Sequence, residues 1–469
     1  MDDVTFNPET SEANLVLESR YVVGEHQSDL STKGVRTRDF CQMLDSLDST
    51  VEQIGKVVSA YGTTVYVTGL TASIGQRCKI TTPGQSIHVL ADVVGITGNQ
   101  VILFPMGNLD GLSNRSEVRV LSTQRCVRFS ESMIGCIMDG SGKLVYQPKG
   151  QLDTINVPIY RAAPDPLTRR SIDKIFSTGV KVIDTLLTVG EGQRVGIFAS
   201  AGGGKSTLLA MLARYSTADV VVIGLIGERG REVREFIEHN LGKSGLARCV
   251  MVVTTSDRPA IERVNAALCA TTIAENFRAM GKRVLLLMDS LTRYARALRE
   301  IGLSVGELPV RQGFPPSVFS ELPKLLERSG NDQHSSITAF YTILEDDEES
   351  SDPVSEEVRS ILDGHIVLSR NMGETGVYPP VDVLSSASRL IGNLATSEHL
   401  DAALRVRQLI AKYQEIELLI QVGEYKPGSD ADADDAVNKR EAIKRLVCQH
   451  SSEQFDFNDS VAQLRELVE

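Results

Sequence analysis

Two rhythms of apolar and polar residues divide the chain. From Val51 to about residue 125, short runs rich in β-branched and aromatic residues are cut by Gly, Asn and Thr: Val57 to Tyr61, Val65 to Val67, Gln85 to Leu90 and Val101 to Phe104. Runs of this length and spacing predict a small antiparallel β domain, and the pattern fits a barrel or a sandwich equally. Pro158, Pro164 and Pro166 then punctuate a linker-like segment. After it, continuous apolar runs alternate with helix-length segments: Arg194 to Ala199, Val220 to Ile226, Cys249 to Thr254, Val284 to Met288 and Ile337 to Leu344. That alternation predicts an α/β region built on a doubly wound parallel sheet. Beyond about Thr396 the strand-like runs stop, and Leu409, Tyr413, Ile416 and Ile420 recur at helical spacing. The expected organisation is an N-terminal extension without sustained period (1–45), a β domain (46–125), an α/β core (126–395) and a helical C-terminal domain (396–469).

Composition narrows the classes of partner. Of 469 residues, 42% are hydrophobic and 23% charged, close to the average for folded globular proteins. The formal net charge of −12, from 49 Lys+Arg against 61 Asp+Glu, argues against a general nucleic-acid binder, because backbone phosphates are held by cationic side chains. Met1-Asp2-Asp3 opens no basic and apolar leader, and no apolar run is long enough to span a bilayer, so a cytoplasmic location is expected. Seven scattered cysteines without a Cys-x-x-Cys pair suggest neither a disulfide framework nor a zinc site.

The clearest chemical signal is Ala199-Ser-Ala-Gly202-Gly203-Gly204-Lys205-Ser206, which follows a predicted strand and opens a predicted helix at Thr207. Glycines let such a loop turn tightly, so that its N–H groups and the positive helix end face a polyphosphate. Gly202, Gly203, Gly204, Lys205, Ser206 and Thr207 are therefore expected to hold a nucleotide. Lys205 would bridge the β- and γ-phosphates, and the Ser206 hydroxyl would ligate Mg²⁺. Ala199 stands where the strict pattern has Gly, which removes no phosphate contact.

Two carboxylates lie where such a site needs them. The apolar run Val284 to Met288 ends in Asp289, a candidate to hold a Mg²⁺-bound water opposite Ser206. Glu228, in Gly227-Glu228-Arg229, follows the run Val220 to Ile226, at the strand end where parallel sheets bind ligands. It is the candidate to orient and polarise the attacking water.

Together with these, Asp289-Ser-Leu-Thr-Arg293-Tyr-Ala, Gly313-Phe-Pro-Pro-Ser317-Val-Phe and Tyr378-Pro-Pro-Val-Asp382-Val-Leu-Ser-Ser-Ala-Ser388-Arg389 resemble the catalytic subunits of rotary ATPases and their relatives in protein export. The last stretch fits the α/β-subunit signature of Pro, small residue, aliphatic, Asp, three variable residues, Ser, variable, Ser. Ile361-Leu-Asp-Gly364-His365 to Arg370 and Gly423-Glu424-Tyr425 to Asp430 resemble the type III secretion branch, with the injectisome ahead of the flagellum.

The resemblance implies a RecA-like P-loop core with an N-terminal small β-barrel and a C-terminal helical domain. It implies a Mg²⁺-dependent ATP hydrolase, active as a homohexamer with sites between subunits, that energises type III protein export by releasing and unfolding chaperoned substrates. By position it adds Arg229 and Arg293 to the catalytic set, the latter on the γ-phosphate side, makes Tyr378 the residue that stacks on adenine, and makes Arg389 an arginine finger inserted into the neighbouring site. Implied partners are chaperones and effector substrates, a central stalk, a peripheral stator and an inner-membrane export gate, with the enzyme peripheral at the inner face of the bacterial inner membrane. A rotary ATPase catalytic subunit and a flagellar export ATPase are the alternatives. An RNA-translocating ring is disfavoured by the absence of Trp and the few aromatics of the β domain.

Asp430-x-Asp432-x-Asp434 with Glu441 imitates a calcium loop, but Asp435 stands where that loop needs Gly, and the carboxylates also suit the start of a helix expected near Ala436. The acidic run Glu345 to Glu349 reads as a solvated loop.

Overall fold

The computed structural model describes residues 53–84, 88–122, 125–148, 150–200, 202–345 and 352–469. The expectations for the 1–45 extension, for the strand start at Gln85 to Ile87 and for most of the acidic run Glu345 to Glu349 lie outside the described residues, as does Ala201.

The first strands, β1 (Gly55–Tyr61), β2 (Thr64–Thr68), β3 (Arg77–Thr81), β4 (His88–Thr97), β5 (Gln100–Pro105) and β6 (Glu117–Ser122), close into a barrel in the order β1-β2-β5-β4-β3-β6. The pairing of β1 with β6 settles barrel against sandwich. Alternate residues fill the inside, among them Val65, Val67, Cys78, Ile80, Val93, Leu103 and Val118. The sequence pattern missed β3 and β6 because each turns only short apolar teeth inward between charged residues, Arg77 and Lys79 in one and Glu117 and Arg119 in the other.

Four strands follow: β7 (Cys126–Phe129), β8 (Ile137–Asp139), β9 (Leu144–Tyr146) and β10 (Ile155–Pro158). The main sheet then adds β11 (Arg194–Ala199), β12 (Val220–Glu228), β13 (Cys249–Thr255), β14 (Val284–Asp289), β15 (Gly330–Asn331), β16 (Ser336–Leu344), β17 (Gly364–Leu368) and β18 (Val381–Ser388). Its order is β18-β17-β11-β16-β14-β12-β13-β8-β9, parallel from β17 through β8. All five strands expected from the apolar runs are there. Because β11, β12 and β14 run the same way, Ala199, Glu228 and Asp289 emerge at one edge. The helix Ala260–Ala279 is buried on nearly every side against this sheet, with only a few residues left to solvent. Among the described residues no helix is long and apolar enough to cross a membrane.

Three long helices, Ser397–Gln421, Ala431–Val447 and Phe457–Val468, form the C-terminal part. Leu409 and Ile416 are buried as their spacing predicts, while Ile420 is only partly covered. The second helix begins at Ala431 rather than near Ala436, because the Asp430 carboxylate caps it by accepting from Asp432 and Ala433 N–H at 3.0 and 3.4 Å. This corrects the helix start and disposes of the calcium reading. Asp432 and Asp435 pair with Arg405 at 2.9 and 2.8 Å, and Asp434 accepts from the Tyr425 hydroxyl and Gly428 N–H.

A buried turn leads into the helix Lys181–Leu186. The Asp184 carboxylate accepts from Thr178 N–H and Oγ1 at 2.9 and 2.7 Å, Gly179 N–H at 3.1 Å and Ser177 Oγ at 3.2 Å. Burial outweighs these donors and raises it from 3.8 to about 6. The folded protein thus holds this proton more tightly than the unfolded chain. The stability it contributes is full below the unfolded value and is lost as pH rises through about 6. Asp184→Ala strands two N–H groups and is expected to cost about 2–4 kcal/mol in urea unfolding. A loss under about 0.5 kcal/mol, the size typical of an ordinary surface substitution, would contradict this account.

Candidate nucleotide site

The loop between β11 and the helix Lys205–Tyr215 is shaped by glycine. Gly204 lies at φ +78°, and a Cβ there would stand 3.2 Å from Pro380 and 4.0 Å from the Tyr378 ring. Only glycine both takes that left-handed turn easily and lets the two segments approach so closely. The loop, Glu228, Asp289, Arg229 and Arg293 line one cavity of about 300 Å³, together with Leu225, Glu232 and Phe236.

Its electrostatics centre on two buried carboxylates. The Lys205 ammonium lies 2.6 Å from Asp289 Oδ1 and 3.8 Å from Glu228 Oε1. Thr342 Oγ1 donates to the same Asp289 oxygen at 2.7 Å. Arg293 Nε donates to Glu228 at 3.2 Å, and its side chain crosses Gly227, where a Cβ would come within 3.1 Å of it at a φ of +70°. Glu228 is raised to about 7, first by burial and then by the Asp289 charge, with Lys205 and Arg293 opposing. Arg229 stands at the boundary of the next helix, exposed, and pairs with Glu232 at 3.3 Å.

Tyr378 lines a second cavity of about 210 Å³ with Pro379, Pro380, Met211 and the segment Gln449 to Ser451, and this cavity shares Gly204 and Thr207 with the first. The two cavities thus adjoin. Arg389, at the end of β18, is exposed and lies outside the lining of both cavities. Its Nη2 donates to Arg359 O at 3.2 Å.

Sequence reasoning missed Thr342 and the Gln449 to Ser451 wall. Thr342 sits mid-strand in an apolar run, and its hydroxyl was the available signal. The buried Gln449 is a junction: its N–H donates to Tyr378 O at 2.7 Å and its side chain bonds Lys181 N–H and Gly179 O at 2.9 Å each.

A glycine loop at a strand end, a partly buried Lys between two carboxylates and a neighbouring aromatic-walled pocket define a P-loop nucleotide-hydrolysing enzyme. The chain matches the nucleotide-binding domain of the ATP synthase alpha/beta family over residues 179–388, that family's beta-barrel domain over 57–121, and the T3SS EscN ATPase C-terminal domain over 395–466. It is 52% identical over 399 residues to the type 3 secretion system ATPase of Xanthomonas euvesicatoria, covering 84% of this chain and 89% of that one. It is 43% identical over 440 residues to the flagellum-specific ATP synthase of Bacillus subtilis, covering 92% and 99%. The structure of the assembled ATPase EscN in complex with its central stalk EscO, from enteropathogenic E. coli, superposes with a TM-score of 0.82 at 46% identity, covering 88% of this chain and all of that one. The chain belongs to the type 3 secretion system ATPases, a branch of the ATP synthase alpha/beta family, and is an ATP-hydrolysing enzyme.

Proposed function

We propose that the chain is a Mg²⁺-dependent ATPase that powers type III protein export as a homohexamer, with each nucleotide held at a seam between subunits. The observation that carries this is the division of the catalytic set: phosphate loop, Glu228, Asp289 and Arg293 share one cavity, while Arg389 is exposed on the surface. Specific ATPase activity should rise steeply with protein concentration in step with ring assembly followed by mass photometry. Equal activity per subunit in monomers and rings would refute the shared site.

The residues present suit a hard divalent ion. The Lys205 ammonium sits between Asp289 and Glu228 as a cation does, and Ser206 and Asp289 offer the oxygen donors that Mg²⁺ prefers. Ser206 and Asp289 would hold it, and it would neutralise charge on the phosphates. On ATP binding Lys205 exchanges Asp289 for phosphate oxygens. Glu228 orients the attacking water, Arg293 holds that carboxylate, and Arg229 guards the mouth. The finger Arg389 of the adjoining subunit neutralises charge on the transferring phosphoryl group.

Glu228 must be ionised to accept a proton from water. With its carboxyl raised to about 7, kcat/KM is expected to fall as pH drops through about 7. Arg293→Met removes a charge that favours the carboxylate and should move this midpoint upward. A profile flat from pH 5.5 to 8.5, roughly the span needed to titrate the group, would count against the assignment.

Tyr378 stacks on the base. Base–aromatic stacking is worth about 1–3 kcal/mol, so Tyr378→Ala should raise KM for ATP about tenfold while Tyr378→Phe stays near wild type. An unchanged KM in the Ala variant removes Tyr378 from the base pocket.

EscN is solved with a central stalk, which supports a stalk partner for this ring. The helical domain would receive chaperones and effector substrates, a peripheral stator and the export gate would hold the ring at the inner face of the bacterial inner membrane, and nucleic acid is no partner. The B. subtilis relative supports flagellar export as the second reading. Deleting the gene separates them: loss of effector secretion favours the injectisome, and loss of motility the flagellum.

A further inference from the structure

We propose that Arg359 is the positioning residue of the arginine finger, fixing Arg389 at the seam and tying it to the phosphate loop of its own subunit. This rests on the reading of Arg389 as the finger.

Arg389 has two anchors. Its N–H donates to Asp363 O at 3.1 Å, and its guanidinium donates to Arg359 O at 3.2 Å. Arg359 lies in the last turn of the helix Pro353–Ile361, where carbonyls lack helical partners and the dipole is negative, so a guanidinium suits that end. The position of this helix end therefore sets the reach of the finger.

The Arg359 side chain in turn fixes the helix end to the root of the phosphate loop. Its guanidinium carbon lies 4.4 Å from the centre of the Phe198 ring, and Nη2 pairs with Glu345 Oε1 at 3.1 Å. Phe198 is the penultimate residue of β11, and Glu345 N–H donates to Ala199 O, the last residue before the loop, at 3.1 Å. One jaw of this clamp, Phe198, lies in the strand that leads into the loop, and the other, Glu345, follows β16 and is bonded to Ala199 at the loop's root. A partly exposed ion pair alone contributes little stability. Here the pair and the stack give direction: a shift of the loop root moves the Arg359 carbonyl and the finger with it.

The charges favour the same arrangement. His365 stands with its ring 6.1 Å from Phe198, and burial together with the Arg359 and Arg389 charges lowers its pKa. Two like-charged guanidinium groups thus share this neighbourhood. Glu345 neutralises Arg359, while among the described residues the Arg389 guanidinium meets only a carbonyl and keeps its charge for an anion across the seam.

Mixed rings isolate this role. In rings combining Lys205→Ala subunits with Arg389→Ala subunits, productive sites form only where a Lys205→Ala subunit lends its finger to an Arg389→Ala neighbour. Arg359→Met added to the finger-lending subunit should lower kcat about 5- to 20-fold with KM for ATP held within about twofold, a coupling of ordinary size. The same substitution in the nucleotide-holding subunit should change kcat by less than about twofold, since its finger is already gone. Arg359→Lys keeps the charge without the flat stacking face and should fall between. Glu345→Gln in the finger-lending subunit should repeat the loss more weakly and guards against misfolding of the Met variant. Equal losses in both placements mean a structural role and overturn the proposal, as does no loss in either. If the rings without Arg359→Met recover no activity, the finger reading falls and this one with it.

Discussion

Glu228→Gln subunits are expected to bind ATP at least as tightly as the wild type and to turn it over about 10³-fold more slowly, the range in which positioned acid–base groups act. The substitution keeps the volume and the Arg293 contact surface but removes the negative charge. Glu228 sits 3.8 Å from the Lys205 ammonium and is raised first by burial and then by the Asp289 carboxylate, so two buried carboxylates share that ammonium. Taking one charge away lowers the repulsion that an incoming triphosphate meets, and binding has no reason to weaken. Hydrolysis fails because a neutral amide neither polarises the water nor accepts its proton. Single-turnover measurement on rings with a fluorescent ATP analogue separates the two effects. Glu228→Asp, which keeps the charge but withdraws it by one carbon–carbon bond, should lose about 10²-fold, as a misplacement of about 1 Å does. A Gln variant that hydrolyses at the wild-type rate would hand the water-orienting role to another group.

How much of this site was readable without coordinates depends on how local each part is. Gly202 to Ser206 is a contiguous loop whose glycines, lysine and flanking apolar strand carry their own reason, and the structure has the strand β11, the loop and the helix in that order. Asp289 and Glu228 were readable because strand ends in a parallel sheet share an edge, so apolar runs closed by a carboxylate pointed to one place. The barrel's closure was not readable, because it depends on β6 reaching β1, and neither β3 nor β6 has an apolar run of its own. Gln449 was equally hidden. It lies in the last, helical part of the chain, and only the fold brings it against Tyr378 and Gly179. At the Asp430 cluster the sequence already argued against calcium, since Asp435 stands where the loop needs Gly, and Arg405, Lys412 and Tyr425 from neighbouring segments take those oxygens; what spacing missed was the helix start at Ala431.

Arg389→Ala rings are expected to lose about 10³- to 10⁵-fold in kcat, equivalent to about 4–7 kcal/mol of barrier, with ATP affinity nearly unchanged. The asymmetry follows from where the residue lies. Arg389 lines neither the phosphate cavity nor the base cavity of its own chain, so its removal leaves the contacts that bind nucleotide in place. What would disappear, if Arg389 is the finger, is a cation acting when charge spreads over the transferring phosphoryl group, an interaction made in the transition state and therefore read in kcat rather than KM. Dilute single subunits would already lack that cation, so the substitution should leave their basal rate untouched. Arg389→Lys should recover little, because a point charge on a flexible stem does not reproduce a planar fork held by the Arg359 carbonyl. The decisive arm is complementation: rings shown by tagging to contain both Lys205→Ala and Arg389→Ala subunits should regain part of the activity that neither has alone, in proportion to the seams where an intact loop meets an intact finger. Were such rings as inactive as the parents, each subunit would have to carry its own complete site, and the exposed guanidinium at the end of β18 would be left without a part in hydrolysis.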